Sequence, residues 1–340
     1  MLSIFSTNHS RRIWCGSPTS LRPSSRAPSR SSTARRSDGF LPQPAPILSV
    51  KGTRPLCSAE PLSAPSNRRI DACAIIPPDL SNVLDDAWSV ARRVPGFLLE
   101  GEARFLGTVA ACLPKAGAIV EIGSFKGKST VMLAKVAQHY DLGRIISIDP
   151  HNFNSAELEN HKSTADASTY ADFTQNLQSA GVSDWVEAHR ALSGDMARTW
   201  NAPIRLLWID GDHSYRGAKL DFDGFSRHLV PGGVVAFHDA LHEFAGPIRV
   251  FVEDVLRSSK FGPSGFVHSI AWSQFRPDDG ERFASQRAAL ERTAARLIPF
   301  LHDERELHGL RKLRFKAVRS RVPRSAISPS DWASLLNRSE

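Results

Sequence analysis

The stretch Val120 to Thr130, VEIGSFKGKST, decides how this 340-residue chain is read. Val120 to Ile122 ends an apolar run that begins at Ala118, glycines follow at 123 and 127, and Ser129 opens an amphipathic stretch lasting to His139. Strand, glycine turn and helix in that order make a βα unit. In such a turn glycines let the backbone approach a ligand closely, and the helix start offers N–H groups that lack intrahelical partners. Cofactors bind to such turns at the carboxyl ends of parallel strands.

Spacing separates the cofactors that compete for the turn. A phosphate loop needs four residues between its first glycine and Gly-Lys-Ser, but three separate Gly123 from Gly127 and Ile122 stands where that glycine belongs. The dinucleotide pattern GxGxxG fails at Phe125 and Lys128. Glu121 would set a negative charge beside any phosphate, which is costly at low dielectric. S-adenosylmethionine (SAM) suits the acid better, since its amino group and ribose hydroxyls are donors and it carries no phosphate. A nucleotide hydrolase, which would rely on Lys128, ranks last on these grounds.

Outward from the turn, short apolar runs alternate with longer amphipathic ones, the mark of an α/β chain with a mostly parallel, doubly wound sheet. Strands are expected at Ala118 to Ile122, Arg144 to Ile148, Trp185 to Ala188, Ile204 to Ile209, Val234 to Phe237 and Phe266 to Trp272. Helices are expected at Ser129 to His139, Thr169 to Ser179, Tyr215 to Leu229 and Ile248 to Arg257, preceded by one from about Leu80 to Val90 and one from Glu102 to Leu113. Three strands deliver acids to one edge. Asp149 ends IISID, 22 residues after Gly127, where a carboxylate can accept both ribose hydroxyls. Asp210 ends the strand of IRLLWIDGDHSY, and His238 and Asp239 end LVPGGVVAFHD.

With VEIGSFKGKST, IDP, IDGDHSY and PGGVVAFHD together, the sequence resembles the class I SAM-dependent methyltransferases, in the family-24-like branch that carries IDGDHSY and PGGxxxFHD. The resemblance covers roughly Pro95 to Arg257. It implies a Rossmann-like, mostly parallel seven-stranded sheet with helices on both faces. It also implies that Glu121, Gly123 and Gly127 line the methionine side of SAM, that Asp149 holds the ribose, and that Ala191, Leu192 and Ser193 lie around the adenine. Related metal-dependent sugar O-methyltransferases imply a divalent metal, Mg²⁺ or Mn²⁺, at Asp210, His238 and Asp239. His238 departs from the acid or amide usual there, and an imidazole suits Mn²⁺, Zn²⁺ or Fe²⁺ better than Mg²⁺. His213, three residues after Asp210, is implied as the base that takes a proton from the acceptor hydroxyl, Asp210 acting with it; a histidine can do this at neutral pH. Asp212 could orient that imidazole. The acceptor implied is a small hydroxylated molecule or a glycan. The alternative on the same fold is a catalytically silent SAM-binding or partner-docking module.

Composition bounds the rest. No run reaches the roughly 18 apolar residues of a membrane-spanning helix. Cys15, Cys57, Cys73 and Cys112 form no CxxC pair, so neither a zinc site nor a disulfide framework is indicated. The net charge of +8 is uneven: residues 1–70 hold 11 Lys+Arg against two acids, leaving −1 for the remainder. A near-neutral body argues against a large nucleic-acid face, although the acid-free stretch Arg311 to Arg324 makes a local basic patch. Residues 1–75, rich in Ser, Pro and Arg, are expected as an unfolded or transit-like extension, which leaves cytoplasm, mitochondrion or plastid as compartments. The methyltransferase domain is expected over residues 76–276, and a helical, basic C-terminal extension over 277–340.

Overall fold

A computed structural model describes residues 76–113, 116–152, 169–302, 307–325, 330–332 and 334. The expected extension over 1–75 lies outside the described residues. Seven strands form one sheet: β1 (Ala118–Ile122), β2 (Ile145–Ile148), β3 (Val186–His189), β4 (Ile204–Ile209), β5 (Leu229–Phe237), β6 (Phe261–Val267) and β7 (Ile270–Phe275). Their order is β3-β2-β1-β4-β5-β7-β6. The first five are parallel, while β7 runs antiparallel to β5 and β6 antiparallel to β7. This is the mostly parallel, doubly wound α/β fold that the sequence predicts.

The central strands read as unbroken apolar runs because both their faces are covered. Alternate side chains serve opposite layers. Ile119, Leu206, Trp208, Val234 and Ala236 pack with α1 (Leu80–Ala91), α2 (Glu100–Cys112), α3 (Lys128–Tyr140) and α4 (Tyr170–Ser179). Val120, Ile122, Leu207, Ile209, Val235 and Phe237 face the other way, toward α6 (Tyr215–Phe225), α7 (Gly246–Val250), α8 (Ala284–Ala294) and α9 (Gly309–Arg319). A short helix, α5 (Ser193–Thr199), follows β3 and was not expected from the sequence.

Two segments differ from expectation. Phe266 to Trp272, expected as one strand, is the turn of the β6–β7 hairpin, with His268 at φ +51° between the strands. The helix expected over Ile248 to Arg257 is α7 followed by π-helical turns over Phe251–Leu256. Beyond residue 276 the described chain is helical, and Leu290, Ala294, Leu297, Phe315 and Val322 join the core on the α6 side of the sheet. Trp332 joins the core on the α1 side. This segment belongs to the same compact unit as the sheet.

Register places the site. Ile122 is paired with Ile148 and with Ile209, and Ile209 with Phe237, so β1, β2, β4 and β5 end level. The residues that follow these four strands, Gly123, Asp149, Asp210 and His238, therefore leave the sheet side by side. Backbone bonds continue the ladder one step past each end, Gly123 N–H to Ile148 O, Asp210 N–H to Ile122 O and His238 N–H to Ile209 O, at 2.8–2.9 Å.

Candidate active site at the carboxyl edge

The glycine turn is held from two sides. Beneath it, Glu121 is fully buried, and the hydroxyls of Ser129 and Thr130 each donate to one of its oxygens at 2.5 Å. Burial pushes the Glu121 carboxyl up to about 7 against those hydrogen bonds. With both oxygens engaged inside the protein, Glu121 braces the start of α3 from below the turn. Above it, Asp149 Oδ2 accepts the N–H groups of Ser124 and Phe125 at 2.7 and 2.8 Å, and Oδ1 accepts that of His151 at 2.6 Å. The two N–H groups that a phosphate would need are thus taken by a protein carboxylate. Lys128 also points away: its Nζ donates to Gly96 O at 2.9 Å and lies over the Trp88 ring. The turn is built for a ligand that does not seat a phosphate there.

Gly123 and Gly127 are required by geometry. Both have positive φ, +83° and +90°, and a Cβ on Gly123 would overlap the Asp210 carbonyl. The close approach brings the β1 turn against the residues that follow β4. Toward β3, Ala191, Leu192 and Ser193 lead into α5, Leu192 exposed and Ser193 Oγ donating to Asp221 at 2.5 Å.

At the other end, Asp210, His213 and Asp239 converge. His213 Nε2 lies 3.4 Å from Asp210 Oδ1 and 3.8 Å from Asp239 Oδ2. That nitrogen is buried and, among the described residues, has no well-aligned hydrogen-bond partner. The ring stacks on Phe244, centroids 4.6 Å apart. Its loop is pinned on both sides: Asp212 accepts from Ser214 N–H, Ser214 Oγ caps α6 at Gly217, and Gly246 N–H donates to His213 O. Asp212, considered as a partner for the imidazole, is spent on this turn. Asp239 sits at φ +53°, a conformation few non-glycine residues adopt. Burial opposes a charged His213 ring, but Asp210 and Asp239 outweigh it and raise the pKa above the ordinary 6.5.

His238, the third metal ligand expected from the sequence, packs against the same two acids from beneath the strand ends. It is buried, with Nδ1 2.9 Å from Asp210 Oδ1 and Nε2 3.3 Å from Glu102 Oε2. Both ring nitrogens face carboxylates, Nδ1 also lying 3.5 Å from Asp239 Oδ1, and His213 reaches the same two acids from the loop after β4. Donor atoms of Asp210, His213 and Asp239 all lie within 4.8 Å of one another. Burial opposes charge on His238, yet Asp210, Glu102 and Asp239 raise its pKa well above 6.5. The same contact works in reverse on its partners. Burial alone would raise the Glu102 and Asp210 carboxyls, and the His238 interactions hold both down at about 2.

Glu102 is the residue that sequence reading missed. It lies on α2, buried, and also accepts the N–H and hydroxyl of Ser269 at 3.0 and 2.5 Å. Its signal was an acid just ahead of the mostly apolar stretch Ala103 to Cys112, but besides the Leu99 N–H its partners are 136 and 167 residues away. His151, which follows the IDP motif, is buried between Tyr170 and Phe173 with Nδ1 3.0 Å from Thr169 Oγ1.

Comparison with known proteins follows the same strands. The family model described as a methyltransferase domain matches residues 120–240. An uncharacterized protein of Acanthamoeba polyphaga mimivirus is 27% identical over 120 residues, 35% of this chain and 50% of that protein. The chain thus spans about half the length of this curated relative. Among solved structures, the O-methyltransferase from Bacillus cereus in complex with SAH is 18% identical, with 59% of this chain and 93% of that one covered at a TM-score of 0.40. The O-methyltransferase TomG from Streptomyces achromogenes, involved in tomaymycin synthesis and in complex with SAM, is 20% identical, with 57% and 89% covered at 0.42. Over residues 120–240, from the glycine turn to just past Asp239, the chain is similar to the methyltransferase domain that its motifs resemble.

Proposed function

We propose that this protein is a SAM-dependent O-methyltransferase acting on a small hydroxyl-bearing acceptor. One observation carries the reading: Asp210, His213 and Asp239 converge beside a glycine turn whose exposed-side N–H groups are occupied by Asp149 rather than open to a phosphate. SAM, when bound, supplies an electrophilic methyl group. Gly123 and Gly127, Asp149, and Ala191 to Ser193 are the residues that would hold it along the strand ends.

The chain's own part is deprotonation and positioning. His213 Nε2, without a competing hydrogen bond, takes the proton of the acceptor hydroxyl. Asp210 and Asp239 then face the imidazolium and stabilise it. Phe244 stacks on one face of the ring and holds its orientation. Pairing and orientation of this kind supply most of the rate when the cofactor brings the reactive group.

The same three residues also fit a divalent cation, because an unpartnered buried imidazole nitrogen faces two carboxylate oxygens. One nitrogen and two oxygens suit Mn²⁺, Zn²⁺ or Fe²⁺ as well as Mg²⁺. A cation there would lower the pKa of a coordinated hydroxyl. His213 Nε2 cannot be ligand and base at once, so the two chemistries are separable.

Calorimetric titration with SAM and with ATP tests the cofactor. SAM should bind and ATP should not, Asp149→Ala should weaken SAM, and Lys128→Ala should leave it unchanged. ATP binding that is lost in Lys128→Ala would overturn the reading. Turnover separates enzyme from silent binder: S-adenosylhomocysteine should form with a hydroxylated acceptor, and His213→Ala should lower kcat by about 10²-fold or more with SAM affinity retained. Loss on chelation and recovery with Mn²⁺ would assign His213 to the metal.

A further inference from the structure

The basic helix α9 has one side in the core and one that no other described part of the chain covers. Phe315 and Val322 are buried. At 100° per residue the opposite side carries Leu310, Leu313 and Ala317 in one row. Leu310 is 73% and Leu313 63% exposed. Arg314 and Arg321 flank that row on one side and Lys316 on the other, all exposed, and Arg324 follows just beyond. From Arg311 to Arg324 there are seven Lys+Arg and no acid. The inward cations of the helix are spent on the protein: Lys312 pairs with Glu243 at 2.7 Å, and Arg319 and Arg311 donate to the carbonyls of Leu241 and Pro299.

We propose that α9 docks this protein on the surface of an anionic phospholipid bilayer. Leu310 and Leu313 enter the boundary between headgroups and acyl chains, and Arg314, Lys316, Arg321 and Arg324 meet the lipid phosphates and carboxylates. An apolar ridge with cations on both flanks is the pattern of a helix lying in the membrane interface. A nucleic-acid face would set its cations on the ridge and leave two exposed leucines without a partner. A second copy of the same face would set four exposed cations against four. Two leucines on an 11-residue helix give weak, reversible binding that depends on lipid charge. The contacts of Lys312 and Arg319 fasten α9 to the loop between Asp239 and Gly246, which carries Phe244 over His213. Docking would therefore hold the candidate active site close to the bilayer. The proposal is independent of which reaction that site performs.

The test is co-sedimentation of the full chain with vesicles of phosphatidylcholine alone and with ~30% phosphatidylserine. The basic N-terminal 70 residues can add charge-driven binding, so the decisive variants hold charge and apolar surface apart. Leu310→Ser with Leu313→Ser, which leaves the charge unchanged, should weaken binding to the phosphatidylserine vesicles at least about tenfold. Arg314→Gln with Lys316→Gln and Arg321→Gln should do the same, and both variants should melt with the parent because the side chains are exposed. Parent protein that ignores these vesicles, or a leucine variant that binds them as tightly as the parent, overturns the proposal. So does tighter binding to duplex RNA than to vesicles at equal salt, or a parent dimer that the leucine variant splits in light scattering.

Discussion

At His238 a single imidazole serves Asp210, Asp239 and Glu102, none of them open to full solvation. Removing one partner from such a set leaves a buried charge uncompensated, which typically costs about 3–5 kcal/mol. Glu102→Gln should lower stability by that order in denaturant unfolding. Ser269→Ala, which removes one neutral donor, should cost only about 1 kcal/mol. Equal losses would show that His238 does not depend on the Glu102 charge. Gly123 is the other residue with no substitute, since a methyl group meets the Asp210 carbonyl and φ is +83°. Gly123→Ala should destabilise the chain by at least about 2 kcal/mol and abolish SAM binding, read by thermal melting and calorimetry. The glycine was legible from its motif, and so were Asp149 and Asp210 from theirs. The imidazole's true partners were not, because hydrogen bonding across 136 residues leaves no local pattern.

At the scale of elements, the strands that were legible are those the sheet buries on both sides. β1 and β4 fall where the apolar runs lie, residue for residue, while β5 starts at Leu229, five residues before the apolar run at Val234. The hairpin was misread because Phe266 to Trp272 is apolar almost throughout, and no glycine or proline marks the turn at His268. On α6, Asp221 is buried and pushed up to about 6, mainly by burial and further by nearby Asp212, with the Ser193 hydrogen bond working the other way. A folded-state pKa above the unfolded 3.8 means that the native state binds more protons, so this contribution is full below about pH 4 and lost as pH rises through 6. Asp221→Asn should therefore gain melting temperature over the parent at pH 7.5 and little at pH 4.5. A difference that does not change with pH would show that Asp221 is solvated in the folded chain.

At the scale of the whole molecule, the segment after residue 276, expected as an appendage, contributes to both cores. Trp332 is fully buried, with its ring 5.7 Å from that of Phe105 and 4.9 Å from that of Trp272. Trp332→Ala should cost about 3–5 kcal/mol, measured by denaturant unfolding of the full chain. A loss below 1 kcal/mol would return this segment to the status of an extension. The sequence suggested otherwise because apolar residues at one per helical turn, set among many arginines, read as a solvated helix until the surface they cover is known.

The contact between Ser269 and Glu102 closes a loop of 167 residues around the candidate site. A ribosome extends its product from the N-terminus, so Glu102 and His238 are both made before the hairpin that completes their surroundings. Contacts of such long range also form late in folding, after shorter loops have closed. A nascent chain arrested just past Asp239 would hold every motif of the methyltransferase segment yet lack the two Ser269 donors to Glu102. Competence to bind and react should thus appear abruptly, when synthesis has carried the β6–β7 hairpin clear of the exit tunnel.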